Sequence, residues 1–553
     1  MTGDLSLLMV RADDHEPLVE GMTEDAVVVG TASDEQPGHL WDEGRDPNDL
    51  VHQRWGVIAP QGPRGDRLLA ILEPLVALRR AQQHGEPVRV HRVPPRMTQS
   101  EALRWKKQVF APGTDLDLEV PRYQLIVGDL HEVPLTLQQA QSSDGYVGRV
   151  AFDDDEDLEA YVDKVLRWEA RAAPQREGRA IFYTVHDRSG ATTAGYEGLV
   201  RPCLEAARQR LERGQFNADR IVEAGPSRVG DPSDLRVEAN ADRPGVLLSL
   251  SHGEGPPRAG WPSADHQRRC QGAMSFGRRG QLRGEDVATG SFLPGGVWLM
   301  MACFGAGSPQ TSAYLPWLEA LKARGRFGGE PAAVLDALPA ERPFVAWLPQ
   351  RVLANPDGPL GFVGHVDLAW TYAFRELDDG APRERPGKMM AVLRSLLERN
   401  RFGLALRELH RYFDRTNAEL TALERDAKSG RIPADDAWVA RRSHLWMLRE
   451  DLSAYVLLGD PAARLPLHHG AAPVRAAEPP RRPAIAGLPR ASGRQRLPLP
   501  IDELEQAIGA VLLGDDGLRT IAERHGLPRE VLRELYERYS AGGRAALGVD
   551  DDD

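Results

Sequence analysis

Short apolar runs alternate with longer stretches of helical spacing along this chain. Such runs, bounded by glycine, proline or charged residues, predict buried β-strands. They lie at Tyr123–Gly128, Arg179–Thr184, Asp219–Ala224, Val246–Ser251, Val297–Met301, Phe344–Leu348 and Leu360–Val363, with earlier candidates at Ala26–Gly30 and Val88–Val93. Because strand and helix patterns alternate over Arg179–Phe374, the sequence predicts an α/β fold with a parallel sheet covered by helices on both faces.

Apolar residues recur every three to four positions in the remaining ordered stretches, which predicts amphipathic helices. The helical stretches are Arg67–Gln83, Leu158–Trp168, Gly195–Arg213, Ser312–Arg324, Lys388–Asp426 and Asp435–Leu458. Pro74 falls inside the first of them. Because proline removes a backbone hydrogen bond, that helix should kink or split there.

At 553 residues the chain is too long for one hydrophobic core. The order of elements and changes of composition divide the chain into an N-terminal α/β region over 1–172, a second α/β region over 173–380 and an α-helical extension over 381–465. A linker rich in proline and arginine follows over 466–500, and a small helical domain with an acidic tail over 501–553. That last domain resembles a helix-turn-helix, but its excess of acids argues against DNA binding. A regulatory protein partner is the expectation for it.

Two of the apolar runs stop abruptly at a reactive side chain beside glycine. VLLSLSHG ends at His252 and Gly253, and VWLMMACFGAG carries Cys303. Open α/β sheets place their sites at the carboxyl ends of parallel strands. A histidine about 50 residues before a cysteine is also a spacing found with cysteine nucleophiles. The pattern therefore predicts a Cys303/His252 dyad at one edge of the sheet.

Acyl transfer is the chemistry that fits this pair. A nearby imidazole raises the thiolate fraction of a thiol whose ordinary pKa is about 8.5, and it can act as general base and acid. Gly253 has no side chain to block its N–H, so that N–H can stabilise an oxyanion. The alternative is that Cys303 is a core thiol and His252 a hydrogen-bonded structural residue.

Further polar residues follow other predicted strands. His186 and Asp187 come after Arg179–Thr184, and His365 and Asp367 come after Leu360–Val363. We expect these four residues at the same edge of the sheet, as wall or substrate-binding residues of the site, with a structural turn as the alternative for His365 and Asp367. The sequence holds no phosphate loop and no metal-ligand motif, so we expect neither a metal nor a cofactor.

Charge and cysteine content narrow the partners and the compartment. The net charge of −12 argues against broad nucleic-acid binding, and no apolar run approaches the roughly 18 residues of a membrane span. The N-terminus lacks the basic and apolar regions of a secretory signal. Cys203, Cys270 and Cys303 form neither a disulfide framework nor a CxxC pair, so we expect a cytoplasmic protein.

At SLSHG and MACFGAG the sequence resembles the caspase-like cysteine peptidases, which include caspases, gingipains, separases and CHAT proteases. YQLIVGDLHEVP, from Tyr123, resembles the end of the N-terminal subdomain of the gingipain-like C25 peptidases. YVLLGDPAARL at Tyr455–Leu465 resembles the segment that closes their catalytic region. The resemblance thus covers about Tyr123 to Leu465, and it is specific at His252, Gly253 and Cys303.

The resemblance implies a bacterial cysteine endopeptidase that acts on protein or peptide substrates. Cys303 would be the nucleophile and His252 its partner, with the backbone N–H groups of Gly253 and Cys303 as oxyanion donors. The loop VHDRSG would contribute to the S1 pocket: Asp187 there would favour Arg or Lys at P1, the option we prefer, and Arg188 an acid. Without a signal segment, an intracellular regulated protease fits better than a secreted digestive one.

Two other functions compete with the peptidase. One is a catalytically silent scaffold of the same fold that acts through its C-terminal helical modules. The other is a nucleic-acid-linked regulator that acts through Ile501–Leu547, which the acidic balance of that segment disfavours.

Overall fold

The computed structural model describes residues 46–110, 120–171, 178–224, 231–240, 243–257, 259–325, 339–370, 375–378, 381–384 and 387–467, with positions 4–5, 22–23, 329, 336 and 532. The strand predicted at Ala26–Gly30, nearly all of the predicted linker, and the C-terminal domain apart from Leu532 lie outside the described residues. The sheet and helices given below all belong to one compact unit, Met1–Gly470.

Ten strands of the described residues form one sheet. They are β1 Trp55–Pro60, β2 Arg89–Val93, β3 Tyr123–Val127, β4 Tyr146–Val150, β5 Gly178–Thr184, β6 Ala218–Ala224, β7 Gly245–Leu250, β8 Val297–Met301, β9 Gly361–His365 and β10 Tyr455–Gly459. Their order across the sheet is β2-β1-β3-β4-β10-β9-β8-β7-β5-β6. All pairs are parallel except β9 with β10. The predicted parallel sheet is therefore confirmed.

Twelve helices within the described residues are seven residues long or longer. They are α1 Pro63–Gln82, α2 Gln99–Val109, α3 Leu135–Ser142, α4 Asp155–Ala170, α5 Arg201–Glu212, α6 Pro232–Ala239, α7 Ala264–Cys270, α8 Leu315–Ala323, α9 Trp347–Ala354, α10 Gly387–Leu397, α11 Phe402–Lys428 and α12 Asp436–Ser453. Shorter helical segments are Leu50–Gln53, Gly190–Gly195, the π-helical turn Tyr196–Val200, the 3₁₀ turn Gly277–Arg279 and Gly284–Val287.

Alternation along β1 shows how helices cover both faces of the sheet. Val57 and Ala59 belong to the main core together with Leu68 and Leu72 of α1. Ile58, between them, belongs to a second core that includes residues of α2 and α3. Successive side chains of a strand point to opposite faces, so α1 packs on one face and α2 and α3 on the other. The predicted α/β class with helices on both faces is confirmed.

Three of the predicted elements are corrected by the structure. The helix through Pro74 runs unbroken from Pro63 to Gln82. Pro74 lies on its exposed face, where water can satisfy the carbonyl that loses its partner. The apolar run Phe344–Leu348 contains a strand only at Phe344–Val345, and α9 begins at Trp347.

The third correction concerns the helical stretch predicted at Asp435–Leu458. α12 ends at Ser453, and the chain continues as the inner strand β10. All five residues of β10 are buried, as expected of an inner strand that is covered on both faces. The region predicted as a purely helical extension therefore also supplies a strand to the sheet.

Small antiparallel sheets lie at the carboxyl edge of the main sheet. His252–Gly253, Met274–Ser275 and Gln281–Leu282 form a three-stranded sheet just past β7. Gly307–Ser308 pairs with Phe344–Val345 just past β8. No helix within the described ranges is long and apolar enough to cross a bilayer.

Candidate active site

Cys303 and His252 lie at the same level on neighbouring strands. Leu250, the last residue of β7, pairs in parallel with Met301, the last residue of β8, and Ser251 N–H donates to Met301 O. His252 and Cys303 each come two residues later. Because adjacent strands are about 4.8 Å apart, the common register places the backbones of the two predicted residues close together at the carboxyl edge of the sheet.

Gly253 lies directly against the backbone of Cys303. A Cβ atom at Gly253 would stand 1.9 Å from the Cys303 carbonyl oxygen, so only glycine allows this approach. Glu254 N–H donates to Ala273 O, and donor directions alternate along an antiparallel ladder. The N–H of Gly253 is therefore turned away from the Met274 strand.

The loop after Cys303 makes a tight and strained turn. Phe304 has a φ of 56°, a left-handed conformation that costs a bulky residue about 1–3 kcal/mol. The turn is held from both sides, because Phe304 N–H donates to Asp367 O at 2.9 Å. On the other side, a Cβ at Gly272 would stand 2.1 Å from Phe304 O. This clamp fixes the backbone that carries the thiol.

The thiol of Cys303 faces the chain that follows β9. Its Sγ donates to the carbonyl oxygen of Ala369, with an S···O distance of 3.6 Å. Burial, together with the negative charges of Asp451 and Asp367, raises the pKa of this thiol to about 11. At neutral pH Cys303 is therefore a protonated thiol.

The His252 imidazole contacts the loop after β5, whereas the Cys303 thiol faces the chain after β9. Its Nε2 lies 2.8 Å from Ser189 Oγ and 3.6 Å from Asp187 Oδ2. The imidazole is 43% exposed, so solvent and substrate can reach it. Ser189 was missed at the sequence level, although its position as the N-cap of Gly190–Gly195 is typical of a serine that opens a helix.

Asp187 is fixed by a small hydrogen-bond network. Its Oδ1 accepts from Ser189 N–H and, at 2.6 Å, from Thr192 Oγ1. Burial alone would raise the pKa of this carboxyl, but these hydrogen bonds and the nearby His252 outweigh burial and lower it. Asp187 therefore stays ionised beside the imidazole. Arg188, the other predicted substrate-binding residue of this loop, is exposed and adopts a φ of 69°.

His365 and Asp367 lie at the same edge of the sheet, as the sequence predicted, but behind the thiol and inside the protein. His365 is fully buried, with Nδ1 2.8 Å from Asp367 O. Asp367 is 5% exposed, and its Oδ2 accepts from Ala313 N–H. Burial raises the pKa of Asp367 despite the hydrogen bonds it receives.

One acidic residue near the thiol was not found in the sequence. Asp451, near the end of α12, is fully buried; its Oδ1 accepts from Trp370 N–H at 2.8 Å and lies 3.4 Å from His365 Nε2. Nothing in a single sequence marks an aspartate of an amphipathic helix as a neighbour of a distant cysteine.

A cavity of about 680 Å³ opens beside this buried cluster. Its lining includes Tyr314 and Asp367 from the site and Glu450 and Ser453 from α12. Its size is in the range of ligand-binding clefts, which hold about 300–1,000 Å³. Within the described ranges, no three His, Cys, Asp or Glu side chains cluster closely enough to hold a metal ion.

Comparison with known proteins yields remote structural likeness. No family model and no curated protein matches the chain. The Arg-specific cysteine proteinase gingipain R is similar with a TM-score of 0.43 and 11% identity, over 78% of this chain and 80% of that one. The complex of the pro- and mature domains of Porphyromonas gingivalis RgpB gives a TM-score of 0.42 and 12% identity, over 74% and 79%. The Saccharomyces cerevisiae separase–securin complex gives a TM-score of 0.26 and 10% identity, over 61% of this chain and 15% of that one.

Proposed function

We propose that this protein is a cysteine endopeptidase in which Cys303 attacks the substrate and His252 transfers the proton. One observation carries the proposal: the two side chains stand two residues past paired ends of β7 and β8. Parallel strands deliver a nucleophile and its base to one edge in this way. The loop that carries Cys303 is strained and clamped, as nucleophile loops often are.

The reaction begins with a protonated thiol. The imidazole of His252 takes the proton of Cys303 as Sγ attacks the scissile carbonyl carbon, and then passes it to the departing amine. Water next hydrolyses the thioester, which releases the carboxylic acid and restores the thiol. Because the pKa of Cys303 is raised to about 11, proton transfer accompanies attack, and no thiolate stands ready beforehand.

Asp187 and Ser189 would orient the imidazole. When Nε2–H donates to Ser189 Oγ, the lone pair of the ring stands on Nδ1, which is then free to accept the thiol proton. The carboxylate of Asp187, 3.6 Å from Nε2, stabilises the imidazolium that forms. This placement favours a role for Asp187 behind His252 over the predicted role in the S1 pocket.

The oxyanion donors of the proposal are the backbone N–H groups of Gly253 and Cys303. Two observations support the first of them: the ladder turns the Gly253 N–H away from the Met274 strand, and Gly253 lies against the backbone of Cys303. Donors aimed at a developing oxyanion are each worth about 2.7–4 kcal/mol in transition-state stabilisation.

The finer expectations belong to the same proposal. They are a C25-like or CHAT-like peptidase with a basic P1 residue, and a regulated, cytoplasmic enzyme whose C-terminal domain binds a protein partner. Cys203, Cys270 and Cys303 form no disulfide, which supports a reducing compartment. Asp367 lines the cavity and is a substrate-binding candidate if that cavity receives the peptide, whereas Arg188 is one through its exposed place in the loop after β5. His365 is fully buried, which disfavours its direct contact with a peptide.

A peptide-library cleavage profile of the wild type beside Cys303→Ala tests the proposal. We expect the wild type to cleave, Cys303→Ala to lose cleavage by at least about 10³-fold, and both to melt at the same temperature. Cys203→Ala is the matched control, because that cysteine is buried on α5, and it should keep cleavage. Equal cleavage by wild type and Cys303→Ala would refute the assignment, and the P1 profile decides between a basic and an acidic preference.

The raised pKa of Cys303 favours a second candidate, a silent scaffold of the same fold. A thiol that is partly buried and donates to Ala369 O is a poor nucleophile until it is released. A thiol-directed peptide probe separates the two: labelling of Cys303 supports the peptidase, and failure to label under every activating condition supports the scaffold.

A further inference from the structure

The segment after β9 forms a wall behind the nucleophile. We call the six residues His365–Trp370 the back wall. Its backbone contacts the nucleophile loop at three points: His365 O accepts from Ala306 N–H, Asp367 O accepts from Phe304 N–H, and Ala369 O accepts from the Cys303 thiol. The position of the thiol therefore depends on the position of this segment.

The back wall is itself fixed from α12. Asp451 Oδ1 accepts from Trp370 N–H at 2.8 Å, next to Ala369, and lies 3.4 Å from His365 Nε2, at the other end of the wall. One carboxylate thus meets both ends of a six-residue segment, through a hydrogen bond at Trp370 and at ion-pair distance at His365. Asp451 and His365 are both fully buried, where such contacts are strongest and most costly to remove.

The charge of Asp451 also reaches the thiol. Its second oxygen, Oδ2, makes no hydrogen bond within the described residues, so this part of the carboxylate is not neutralised by a donor. Four other polar groups surround the thiol on this side: the Asp367 carboxyl, the His365 imidazole and the hydroxyls of Tyr314 and Tyr455. The pKa values of both tyrosines are raised, first by burial and then by the charge of Asp451, so both stay protonated.

We propose that Asp451 is a positioning residue for Cys303, which anchors the back wall against the nucleophile loop and holds a negative charge near the resting thiol. The inference rests on the proposed peptidase function. It assigns a part in the site to the helical region that follows the catalytic strands. Asp451 touches no reacting atom, and it acts through Trp370, His365 and Ala369.

Two variants and a control test the proposal. Asp451→Ala removes both the acceptor and the charge, whereas Asp451→Asn keeps an acceptor for the Trp370 N–H and removes the charge. Asp436→Ala removes an exposed acid from the first turn of the same helix and is the matched control. For each protein, the rate of Cys303 alkylation by iodoacetamide is followed by mass spectrometry from pH 7 to 12, and kcat and KM are measured on a cleaved library peptide.

We expect the pH midpoint of Cys303 alkylation to fall by about one unit in both Asp451 variants, because a nearby negative charge is removed. We expect kcat to fall about 100-fold in Asp451→Ala with KM within about threefold, since small displacements of reacting groups cost that much. Asp451→Asn should keep kcat within about threefold of the wild type, and Asp436→Ala should match the wild type in every measurement.

An unchanged midpoint in Asp451→Asn would overturn the proposal, and so would wild-type kcat in a folded Asp451→Ala. If Asp451→Ala does not fold, the alkylation midpoint of the isosteric Asp451→Asn decides by itself. Failure of the wild type to cleave any peptide would refute the proposed function instead. The alkylation measurement does not depend on cleavage and would still support or refute the role of Asp451.

Discussion

Two histidine–aspartate pairs stand on either side of the strand that carries Cys303. On the β7 side, His252 Nε2 lies 3.6 Å from Asp187, and the side chains are 43% and 14% exposed. On the β9 side, His365 Nε2 lies 3.4 Å from Asp451, and both side chains are fully buried. The distances are nearly equal, so the difference between the pairs is access to solvent.

This difference in exposure suits one histidine to proton transfer and the other to stabilising the fold. A histidine that meets solvent can exchange its proton with a substrate and with water, as general acid–base catalysis requires. A histidine sealed beside a carboxylate instead stabilises the packing around it, and its removal leaves a buried charge without a partner. In the proposed peptidase, the same two residue types would therefore serve chemistry on one side of Cys303 and structural support on the other.

The largest expected effect comes from deleting each imidazole in turn. His252→Ala should lower kcat/KM by on the order of 10³-fold and change the free energy of unfolding by less than about 0.5 kcal/mol. His365→Ala should lower the free energy of unfolding by about 3–5 kcal/mol, because Asp451 is left uncompensated. Peptide cleavage and urea unfolding measure the two quantities; a large loss of stability in His252→Ala would erase the contrast.

Gly253→Ala tests how closely the flank of His252 is joined to the nucleophile. The new Cβ would stand 1.9 Å from Cys303 O. Because relieving this clash requires the backbone of the Cys303 loop to move, kcat should fall about 100-fold. Gly255→Ala is the control, because a Cβ there meets nothing within 4 Å and activity should stay at the wild-type level. Similar activity of the two variants would show that the loop can shift to make room.

Asp187→Asn should have a smaller effect. The amide keeps an acceptor for Ser189 N–H and Thr192 Oγ1 but withdraws the charge from His252, so we expect a loss of kcat on the order of tenfold, less than the loss of the imidazole itself. Asp219 lies on β6 and forms a surface ion pair with Arg243. Asp219→Asn breaks this pair and should leave kcat unchanged. An altered P1 preference in Asp187→Asn, with kcat retained, would instead support a role for Asp187 in the S1 pocket.

The smallest expected effect is a pH dependence of stability on the buried flank. Burial lowers the pKa of His365, but Asp451 and Asp367 outweigh it, and the net pKa is raised. A raised pKa contributes stability that is complete below the ordinary value near 6.5 and is lost as pH rises through the folded value. The difference in free energy of unfolding between wild type and Asp451→Asn should therefore shrink by about 1–2 kcal/mol between pH 6 and pH 9. A difference that grows with pH would contradict this assignment.

The part of the site that sequence could predict is the part built from local patterns. His252, Cys303, Asp187, His365 and Asp367 each follow an apolar run, and parallel strands bring the ends of such runs to one edge. Whether such a residue meets solvent or is sealed beneath the loop depends on packing between distant elements. The exposure of His252 and the burial of His365 could therefore not be told apart.

Long-range pairing explains the remaining gaps. Tyr455–Gly459 directly continues an apolar helical stretch, and only its position between β4 and β9 makes it a strand. Asp451 sits on a helix face like many other acids, and its partners lie on another element of the chain. Ser189 was within reach of local reasoning, as the cap of a short helix, but its contact with His252 joins two loops.

Strand β10 also bears on the order in which the molecule can mature. β2, β1, β3 and β4 pair with the remaining strands only through β10, which joins β4 on one side and β9 on the other. A growing polypeptide on the ribosome cannot unite the two halves of its sheet until Tyr455–Gly459 has been synthesised, and Asp451 emerges only just before it. Long-range pairing of this kind is slow. Cys303 is therefore synthesised about 150 residues before Asp451 and β10, which complete its surroundings. If the proposed peptidase activity is correct, a nascent chain would have little opportunity for premature cleavage.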